Sequence, residues 1–311
     1  MRTVPHSFVI DSEVSRALDN NMPVVALETA VLSHGLPYPQ NIQLVNNLER
    51  IVRSQNVVPA TIGVLNGKVH IGLDSEGINQ LGSPNHKARK ISRRDFGLAI
   101  SRKETGGTTV AGTLITAHAV GIRVFSTGGI GGVHRGATLD ISADLPELAH
   151  TPMIVVCSGA KAILDLPATL EYLETMGVPI VGYQTDDFPA FYSCQSGLPV
   201  NVRVSDPEEV VRIAQAQWEL GLSQAILLVV PPPTESAMPL DQVEHIIQQA
   251  LQEAQQHSIH GAAVTPYLLK RISEISKGAS LQANLDLLQN NARIAAIVAK
   301  KLSAGPNKKW I

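Results

Sequence analysis

A lysine and a glutamate occupy the positions in this sequence that best fit covalent chemistry. Lys161 stands in CSGAK, just after the apolar run MIVVC (153–157), and Glu28 directly follows the apolar run VVAL (24–27). A neutral lysine amine attacks carbonyl carbon and forms a Schiff base. A carboxyl group in apolar surroundings holds its proton to higher pH, which suits a general acid or base. For Glu28 the structural alternatives are a helix cap or an ion-pair partner.

The surroundings of Lys161 predict a reactive amine. AKAILDL has a helical pattern, so we expect Lys161 in the first turn of a helix. The amino end of a helix carries partial positive charge, which favours the neutral amine. Pro167 is expected to break or kink this helix before LEYLETMG continues it. The alternative is an ordinary lysine that reaches solvent.

The glycine-rich stretch TGGIGGVHRG (127–136) is a second candidate feature. A dinucleotide fingerprint needs G-x-G-x-x-G at the start of a helix, but His134 occupies the third glycine position and no helical pattern begins there. The free N–H groups of such a loop favour an anion; a bare tight turn is the alternative. His34 and His134 are candidates for proton exchange, although packed, hydrogen-bonded histidines are more common.

The segment KISRRD (90–95) places Lys90, Arg93 and Arg94 beside Asp95. A solvated charged surface is the ordinary interpretation. The functional interpretation is a phosphate clamp, because glycine N–H groups are available to share the anion. The pair Thr108-Thr109, which opens a predicted helix, would add another helix terminus suited to an anion.

Two aspartates, Asp140 and Asp144, lie four residues apart in LDISADL, and on a helix they would share a face. One such carboxylate, with retained waters and a substrate phosphate, is a normal site for a hard cation. The alternative is helix capping by Asp140 or Ser142. The sequence contains no HExxH, EF-hand or zinc pattern, so we expect no metal cage built from protein ligands alone.

Short apolar runs that alternate with helical patterns must position these residues. They predict an α/β fold with a mostly parallel central sheet and helices on both faces, and Asn66-Gly67 predicts a hairpin. Because ligands bind outside the carboxyl ends of parallel strands, we expect the groups that follow four strands to meet in one crevice. These groups are Glu28, TGGIGG, Ser158–Lys161 and Gln184–Asp187.

The composition fits a soluble protein with a large core. The chain has 311 residues, of which 44% are hydrophobic, and a formal net charge of −2, which gives no reason to expect nucleic-acid or membrane binding. No apolar run approaches the roughly 20 residues of a membrane span, and no signal-peptide core is present. Cys157 and Cys194 form no disulfide framework and are expected to be buried.

Eight stretches of the sequence, in order, resemble the pseudouridine-5′-phosphate glycosidase family over nearly the whole chain. They are ALETAVLSHGLPYPQN, VPATIGVLNGKVHIGL, KISRRD, FSTGGIGGVHRGA, DISADLPEL, CSGAKAILDL, LEYLETMGVPIVGYQTDDFPAFY and NLDLLQNNARIAA. The resemblance implies a single three-layer α/β/α domain over residues 1–311. It also implies a cytoplasmic, metal-dependent homotrimer that splits pseudouridine 5′-phosphate reversibly into uracil and ribose 5-phosphate.

The resemblance also assigns roles to residues. Most glycosidases protonate a leaving oxygen between two carboxylates, but here a carbon–carbon bond breaks. The resemblance implies that the sugar ring opens and that Lys161 becomes bonded to C1′ while Glu28 moves protons. Asp140 matches the family's metal-binding aspartate, for one Mn(II) per subunit held largely through water. Residues that match substrate contacts are Lys90, Val110, Thr127, His134, Ser142, Ala143, Asp144 and Asn284.

Two departures from the family's pattern and two other functions stay open. Val230-Pro231-Pro232-Pro233 stands where the family usually has Asn-Pro-Ile-Pro, and Gly261-Ala262-Ala263 stands where Gly-Lys-Glu is common. Either change could alter uracil contacts or a subunit interface. The other functions are a different Schiff-base phosphosugar lyase and a non-catalytic sugar-phosphate-binding protein. The failed fingerprint disfavours a nicotinamide oxidoreductase.

Overall fold

A mostly parallel sheet forms the centre of the protein. The computed structural model describes residues 4–136, 139–257, 259 and 264–304, and the Gly261-Ala262-Ala263 departure lies outside them. The strands in these ranges are β1 Phe8–Ile10, β2 Val24–Leu27, β3 Val58–Leu65, β4 Lys68–Ile71, β5 Arg89–Ile91, β6 Gly106–Thr108, β7 Val124–Ser126, β8 Val133–His134, β9 Ile154–Cys157, β10 Leu164–Asp165, β11 Ile180–Tyr183, β12 Val202–Val204 and β13 Ile226–Val229.

The sheet runs in the order β1-β4-β3-β2-β7-β9-β13-β11-β12, with β6 and then β5 attached to β3. Along the order β3-β2-β7-β9-β13-β11-β12, each neighbouring pair of strands is parallel. Strand β3 pairs with β4 and with β6 in the antiparallel direction. Strands β8 and β10 form a separate antiparallel pair. The functional loops therefore leave neighbouring strands at the same edge.

Helices cover this sheet. They are α1 Ser12–Asp19, α2 Gln40–Ser54, α3 Ser75–Gly82, α4 Phe96–Ser101, α5 Val110–Ala119, α6 Asp144–Leu148, α7 Leu166–Thr175, α8 Pro207–Glu219, α9 Leu240–Gln256, α10 Val264–Ile275 and α11 Ala279–Ala304, with a π-helix at Val31–Gly35 and a 3-10 turn at Arg93–Asp95. Within the described ranges, none of the helices combines the length and apolar character needed to cross a membrane.

Central strand β2 shows why the chain adopts this architecture. All four of its residues are buried, and a strand that is apolar along its whole length must be covered on both faces. Helix α5 contacts β2 and β3, whereas α11 contacts β2, β7 and β9. The predicted α/β fold, with its mostly parallel sheet and helices on both faces, is confirmed.

The predicted hairpin is also confirmed. Leu65 of β3 pairs with Lys68 of β4, and the two residues between them both have positive φ, 51° at Asn66 and 75° at Gly67. This conformation matches a type I′ turn, in which asparagine and glycine are favoured. A Cβ atom at Gly67 would lie 2.7 Å from the Ile100 carbonyl oxygen, so a side chain is also excluded by packing.

The prediction of a helix starting near Lys161 is wrong. Residues 158–163 are not helical, and α7 begins at Leu166. The reason is that Leu164 and Asp165 extend to pair with β8. The Asp165 side chain then caps α7 by accepting the Ala168 N–H at 3.0 Å. Pro167 lies in the first turn, where its missing N–H costs nothing, so it neither breaks nor kinks a helix.

The two cysteines differ in their surroundings. Cys157 ends β9 and is fully buried, whereas Cys194 is half-buried, so the predicted burial is confirmed for Cys157. Burial raises the pKa of the Cys157 thiol to about 12. Because the thiolate is the reactive form of cysteine, Cys157 acts as a small apolar core residue.

Candidate active site

The loops that follow β2, β7 and β9 meet at the carboxyl edge of the sheet. These strands are direct neighbours, and Glu28, Thr127 and Lys161 follow them in turn. The Thr127 hydroxyl donates a hydrogen bond to the Glu28 carboxylate, and the positive charge of Lys161 acts on Glu28. The expected convergence of these three strand ends is confirmed.

The aspartates of the fourth predicted group, Gln184–Asp187, pair with residues of their own segment of the chain. Asp186 forms an ion pair with Arg203 at 2.8 Å. Asp187 accepts the N–H groups of Ser196 at 2.6 Å and Gly197 at 3.1 Å. These contacts hold the excursion between β11 and β12, so the structure gives both aspartates a local structural role.

The protonation of Glu28 is set by its burial. Burial is the largest effect and raises the pKa of the Glu28 carboxyl above 4.5; the charge of Lys161 and the hydrogen bond from Thr127 oppose it. Asp144 raises the pKa further, and Lys90 lowers it. The result is a carboxyl group that holds its proton at higher pH than an exposed glutamate, which suits general acid–base chemistry.

Lys161 lies on a loop that is held from both sides. Its backbone N–H donates to the Ile130 carbonyl at 3.1 Å, and the Ile130 N–H donates to the Gly159 carbonyl at 3.0 Å. Beyond the lysine, the Arg135 guanidinium donates to the carbonyls of Ala162 and Leu164, both at 3.1 Å. The loop thus fixes the lysine without the predicted helix terminus.

Lys90 lies on β5 and interacts electrostatically with Lys161, Asp144 and Glu28. Burial lowers the pKa of the Lys90 ammonium, although part of its side chain remains open to solvent, and the neighbouring charge of Lys161 lowers it further. Asp144 and Glu28 raise it. We call Glu28, Lys90, Asp144 and Lys161 the charge cluster.

Asp144 ties two elements of the site together. Its Oδ1 accepts the Ala111 N–H in the first turn of α5, and its Oδ2 accepts the Gly131 N–H, both at 2.9 Å. The side chain is buried. The sequence predicted that N–H groups at the start of α5 and in the glycine loop would bind an anion. At Ala111 and Gly131, the anion is the protein's own Asp144 carboxylate.

The glycines of the 127–132 loop are explained by close packing within the protein. A Cβ atom at Gly129 would lie 2.7 Å from the Phe191 ring. At Gly131 it would collide with Ser142 and lie 2.7 Å from Asp144 Oδ2, and at Gly132 it would collide with Thr169. Close packing within the protein therefore requires glycine at these three positions.

Among the residues of KISRRD, Lys90 is the one in the charge cluster. The exposed Arg93 guanidinium pairs with the buried Glu147 carboxylate at 2.5 Å. Asp95 accepts from Arg89 at 3.1 Å and from the Ser92 N–H at 3.1 Å. Arg93 and Asp95 therefore stabilise the turn after β5 and position Lys90.

The predicted metal residue Asp140 lies outside α6, in the segment that precedes it. Its side chain is 63% exposed and lies 4.0 Å from His134 Nδ1, whereas Asp144 begins the helix. The two aspartates therefore do not share a helical face. The Ser142 hydroxyl, and not Asp140, accepts an N–H at the start of α6, from Asp144 at 3.2 Å.

A metal ion at Asp140 would have few protein ligands. In the described part of the chain, no group of three His, Cys, Asp or Glu side chains is arranged to hold a metal. An exposed carboxylate beside an imidazole fits a hard cation that retains most of its waters. The donor set is therefore compatible with a water-held Mn(II).

Other residues singled out in the sequence lie on α5, on α11 and on the π-helix. Val110 is buried in the first turn of α5, behind the N-cap Thr109, whose hydroxyl accepts the Gly112 N–H at 3.2 Å. Asn284 is half-buried on α11. His34 lies on the π-helix that comes after Glu28 in the chain. Burial and the charge of Lys90 lower the pKa of its imidazole.

Asn291, which is not among the site residues predicted from the sequence, is fully buried on α11. Its amide contacts the loops of both Thr127 and Ser158. A signal is present in the sequence. Leu287, Ala295 and Val298 are apolar residues at helical spacing, and Asn291 is the polar member of the same series. A polar residue at such a position must find buried partners.

The chain is similar to known proteins along nearly its whole length. The family model described as Indigoidine synthase A like protein matches residues 13–301. A pseudouridine-5′-phosphate glycosidase of Geobacillus kaustophilus is 50% identical over 297 residues, which cover 95% of this chain and 98% of the relative. A protein of the same name from Caldanaerobacter subterraneus subsp. tengcongensis is 49% identical, over 94% and 96% of the two chains.

Two solved structures share the fold. The prealnumycin C-glycosynthase AlnA, crystallised in complex with ribulose 5-phosphate, has a TM-score of 0.89 and 40% identity, covering 97% of this chain and 98% of that chain. An indigoidine synthase A-like protein of Thermotoga maritima also has a TM-score of 0.89, with 35% identity over 97% and 99% of the two chains.

Proposed function

The chain belongs to the family of indigoidine synthase A like proteins, and from this premise we propose that it is a pseudouridine-5′-phosphate glycosidase. It would convert pseudouridine 5′-phosphate and water reversibly into uracil and ribose 5-phosphate. The relatives that carry this name support the reaction, and the ribulose 5-phosphate complex of AlnA supports a phosphorylated pentose as ligand. The structural observation that carries the proposal is the charge cluster, in which Glu28 accepts a hydrogen bond from Thr127 and is acted on by the charge of Lys161.

The proposed reaction begins with opening of the sugar ring. The C1′–O4′ bond breaks, Lys161 Nζ forms a bond to C1′, and O4′ takes a proton that Glu28 delivers. The secondary ammonium formed at Nζ then loses a proton to Glu28, the freed nitrogen lone pair forms an iminium at C1′ as the C1′–C5 bond breaks, and C5 of uracil takes that proton from Glu28. Water hydrolyses the iminium, which frees the amine and ribose 5-phosphate. A raised Glu28 pKa suits this role because the group must carry a proton to deliver.

The other members of the charge cluster bind and orient the substrate in this proposal. Lys90, whose charge acts on Glu28, contacts the phosphate or a sugar hydroxyl. Asp144 holds the start of α5 and the glycine loop at a fixed separation, because each of its oxygens accepts an N–H from one of them. Val110, Thr127, His134, Ser142, Ala143 and Asn284 complete the proposed set of substrate contacts.

We propose one Mn(II) per subunit, held by Asp140 and otherwise by water. When bound, it would supply positive charge to the substrate phosphate. We also propose a cytoplasmic homotrimer, for which the family resemblance is the support; light scattering at several protein concentrations would test the subunit number.

The synthesis direction provides the test of function. The protein is incubated with Mn(II), uracil and ribose 5-phosphate, and the C-nucleotide is sought by mass spectrometry. Formation of pseudouridine 5′-phosphate is the expected result. Folded protein that makes no product in either direction would overturn the proposal. Binding of ribose 5-phosphate without turnover would favour a sugar-phosphate-binding protein, and sugar-phosphate conversion that needs no uracil would favour another Schiff-base lyase.

A further inference from the structure

Asn291 connects the two loops that carry the proposed acid's partner and the proposed nucleophile. Its Nδ2 donates to the Thr127 carbonyl at 2.9 Å and to the Ser158 hydroxyl at 3.1 Å, and lies 3.4 Å from the Gly128 carbonyl. Its Oδ1 is in hydrogen-bond contact with the Ser158 hydroxyl at 3.3 Å. The amide is fully buried, so these contacts satisfy it without water.

Each loop contacted by Asn291 leads directly to the charge cluster. Thr127 provides the hydroxyl that donates to Glu28. Ser158 is three residues before Lys161, and its N–H donates to the Gly128 carbonyl at 2.9 Å. A shift of the amide would therefore move the donor to Glu28 and the loop of Lys161 together.

We propose that Asn291 is a positioning residue for the reaction, which acts through Thr127 on Glu28 and through Ser158 on the loop of Lys161. This inference rests on the proposed function. A buried amide suits the task because it donates and accepts in one plane, so one side chain fixes both loops against α11. Asn291 touches no reacting atom in this assignment.

The test is a kinetic comparison of Asn291→Ser with wild type. We expect kcat to fall by up to about 100-fold, because misplacing a reacting group by about 1 Å can cost that much, with a smaller change in KM. The Thr127 hydrogen bond lowers the Glu28 pKa, so weakening it raises that pKa. The limb of the pH–rate profile that belongs to Glu28 should therefore move to higher pH.

A double-mutant cycle separates positioning from a general loss of stability. If Asn291 acts through Thr127, the effects of Asn291→Ser and Thr127→Val on kcat should be less than multiplicative when the two changes are combined. The matched control is Asn290→Ser, the adjacent amide on α11, which contacts the Pro231 carbonyl and Arg293. If Asn291→Ser does not fold, Ser158→Ala, which removes one partner of the amide, replaces it in the same measurements.

The outcomes distinguish this inference from the proposed function. Unchanged kcat in a folded Asn291→Ser variant of an active enzyme would overturn the positioning role alone, as would strictly multiplicative effects with an unmoved pH limb. Absence of turnover in the wild type would overturn the proposed function, and the positioning role with it.

Discussion

The Thr127 hydroxyl donates a hydrogen bond to the Glu28 carboxylate, across the ends of the adjacent strands β2 and β7. Glu28 is thereby held at the edge of the sheet in an environment that otherwise disfavours its charge. Burial raises the pKa of this carboxyl, and the threonine partly offsets the effect. The contact therefore tunes the protonation of the proposed acid as well as its position.

Removing the Thr127 hydroxyl should shift the pH dependence of the reaction. In Thr127→Val, the Glu28 carboxylate loses a hydrogen-bond donor, so its pKa rises and the corresponding limb of kcat/KM against pH moves to higher pH. Thr127→Ser keeps the donor and should retain the wild-type profile. Identical profiles for the valine and serine variants would contradict this role of the hydroxyl.

Lys161→Ala should abolish turnover in both directions, because the proposed covalent bond to C1′ requires the amine. Borohydride treatment of wild type with ribose 5-phosphate should add a reduced pentose phosphate to the peptide that contains Lys161. Lys90→Ala is the control: it should bind substrate less tightly and still be labelled at Lys161. A label on another residue would reassign the nucleophile.

Glu28→Gln should stabilise the protein relative to wild type as the pH rises. The pKa of Glu28 in the folded state lies above 4.5, the ordinary pKa of a glutamate in the unfolded chain. The folded state therefore binds the Glu28 proton more tightly. Wild type loses stability as the pH rises from 4.5 through the folded pKa, and glutamine has no proton to lose.

Urea unfolding between about pH 5 and about pH 8 measures this effect. The difference in unfolding free energy between Glu28→Gln and wild type should grow with pH and become constant above the folded pKa. Glu171→Gln, on the exposed surface of α7, is the control. A difference that does not change with pH would show that Glu28 does not hold its proton more tightly in the folded state.

Gly131→Ala should destabilise the protein and reduce its activity. The added methyl would collide with Ser142 and press on Asp144, at a cost of about 1–3 kcal/mol for overpacking. Gly97→Ala is the matched substitution: its Cβ would meet no atom within 4 Å, and alanine is favoured in helix α4 by up to about 1 kcal/mol. Equal unfolding free energies for the two variants would contradict the packing argument.

Chelation should remove activity, and Mn(II) should restore it. In Asp140→Asn, binding of Mn(II), followed by electron paramagnetic resonance, should weaken at least about 10-fold because the proposed protein ligand loses its charge. Asp186→Asn removes a carboxylate that pairs with Arg203 and should bind Mn(II) as wild type does. Unaltered binding in Asp140→Asn would place the metal elsewhere.

The sequence by itself determined that the sheet is mostly parallel and which strands are followed by the candidate reactive residues. The apolar runs VVAL and IVVC predicted buried parallel strands, and these runs end just before Glu28 and Lys161. Asn66-Gly67 predicted its hairpin because a type I′ turn depends on two adjacent residues. Such features are local, so a short window of sequence contains the information.

Contacts between distant residues were decided only by the tertiary structure. Pairing of β10 with β8 extends Leu164 and Asp165, which overrides the local helical pattern after Lys161. Asp144 accepts from Ala111, 33 residues away, and Asn291 donates to Thr127, 164 residues away. A buried polar group needs a partner, but which one it finds depends on how the strands and helices pack. The electrostatics of the charge cluster likewise exist only once the strand ends meet.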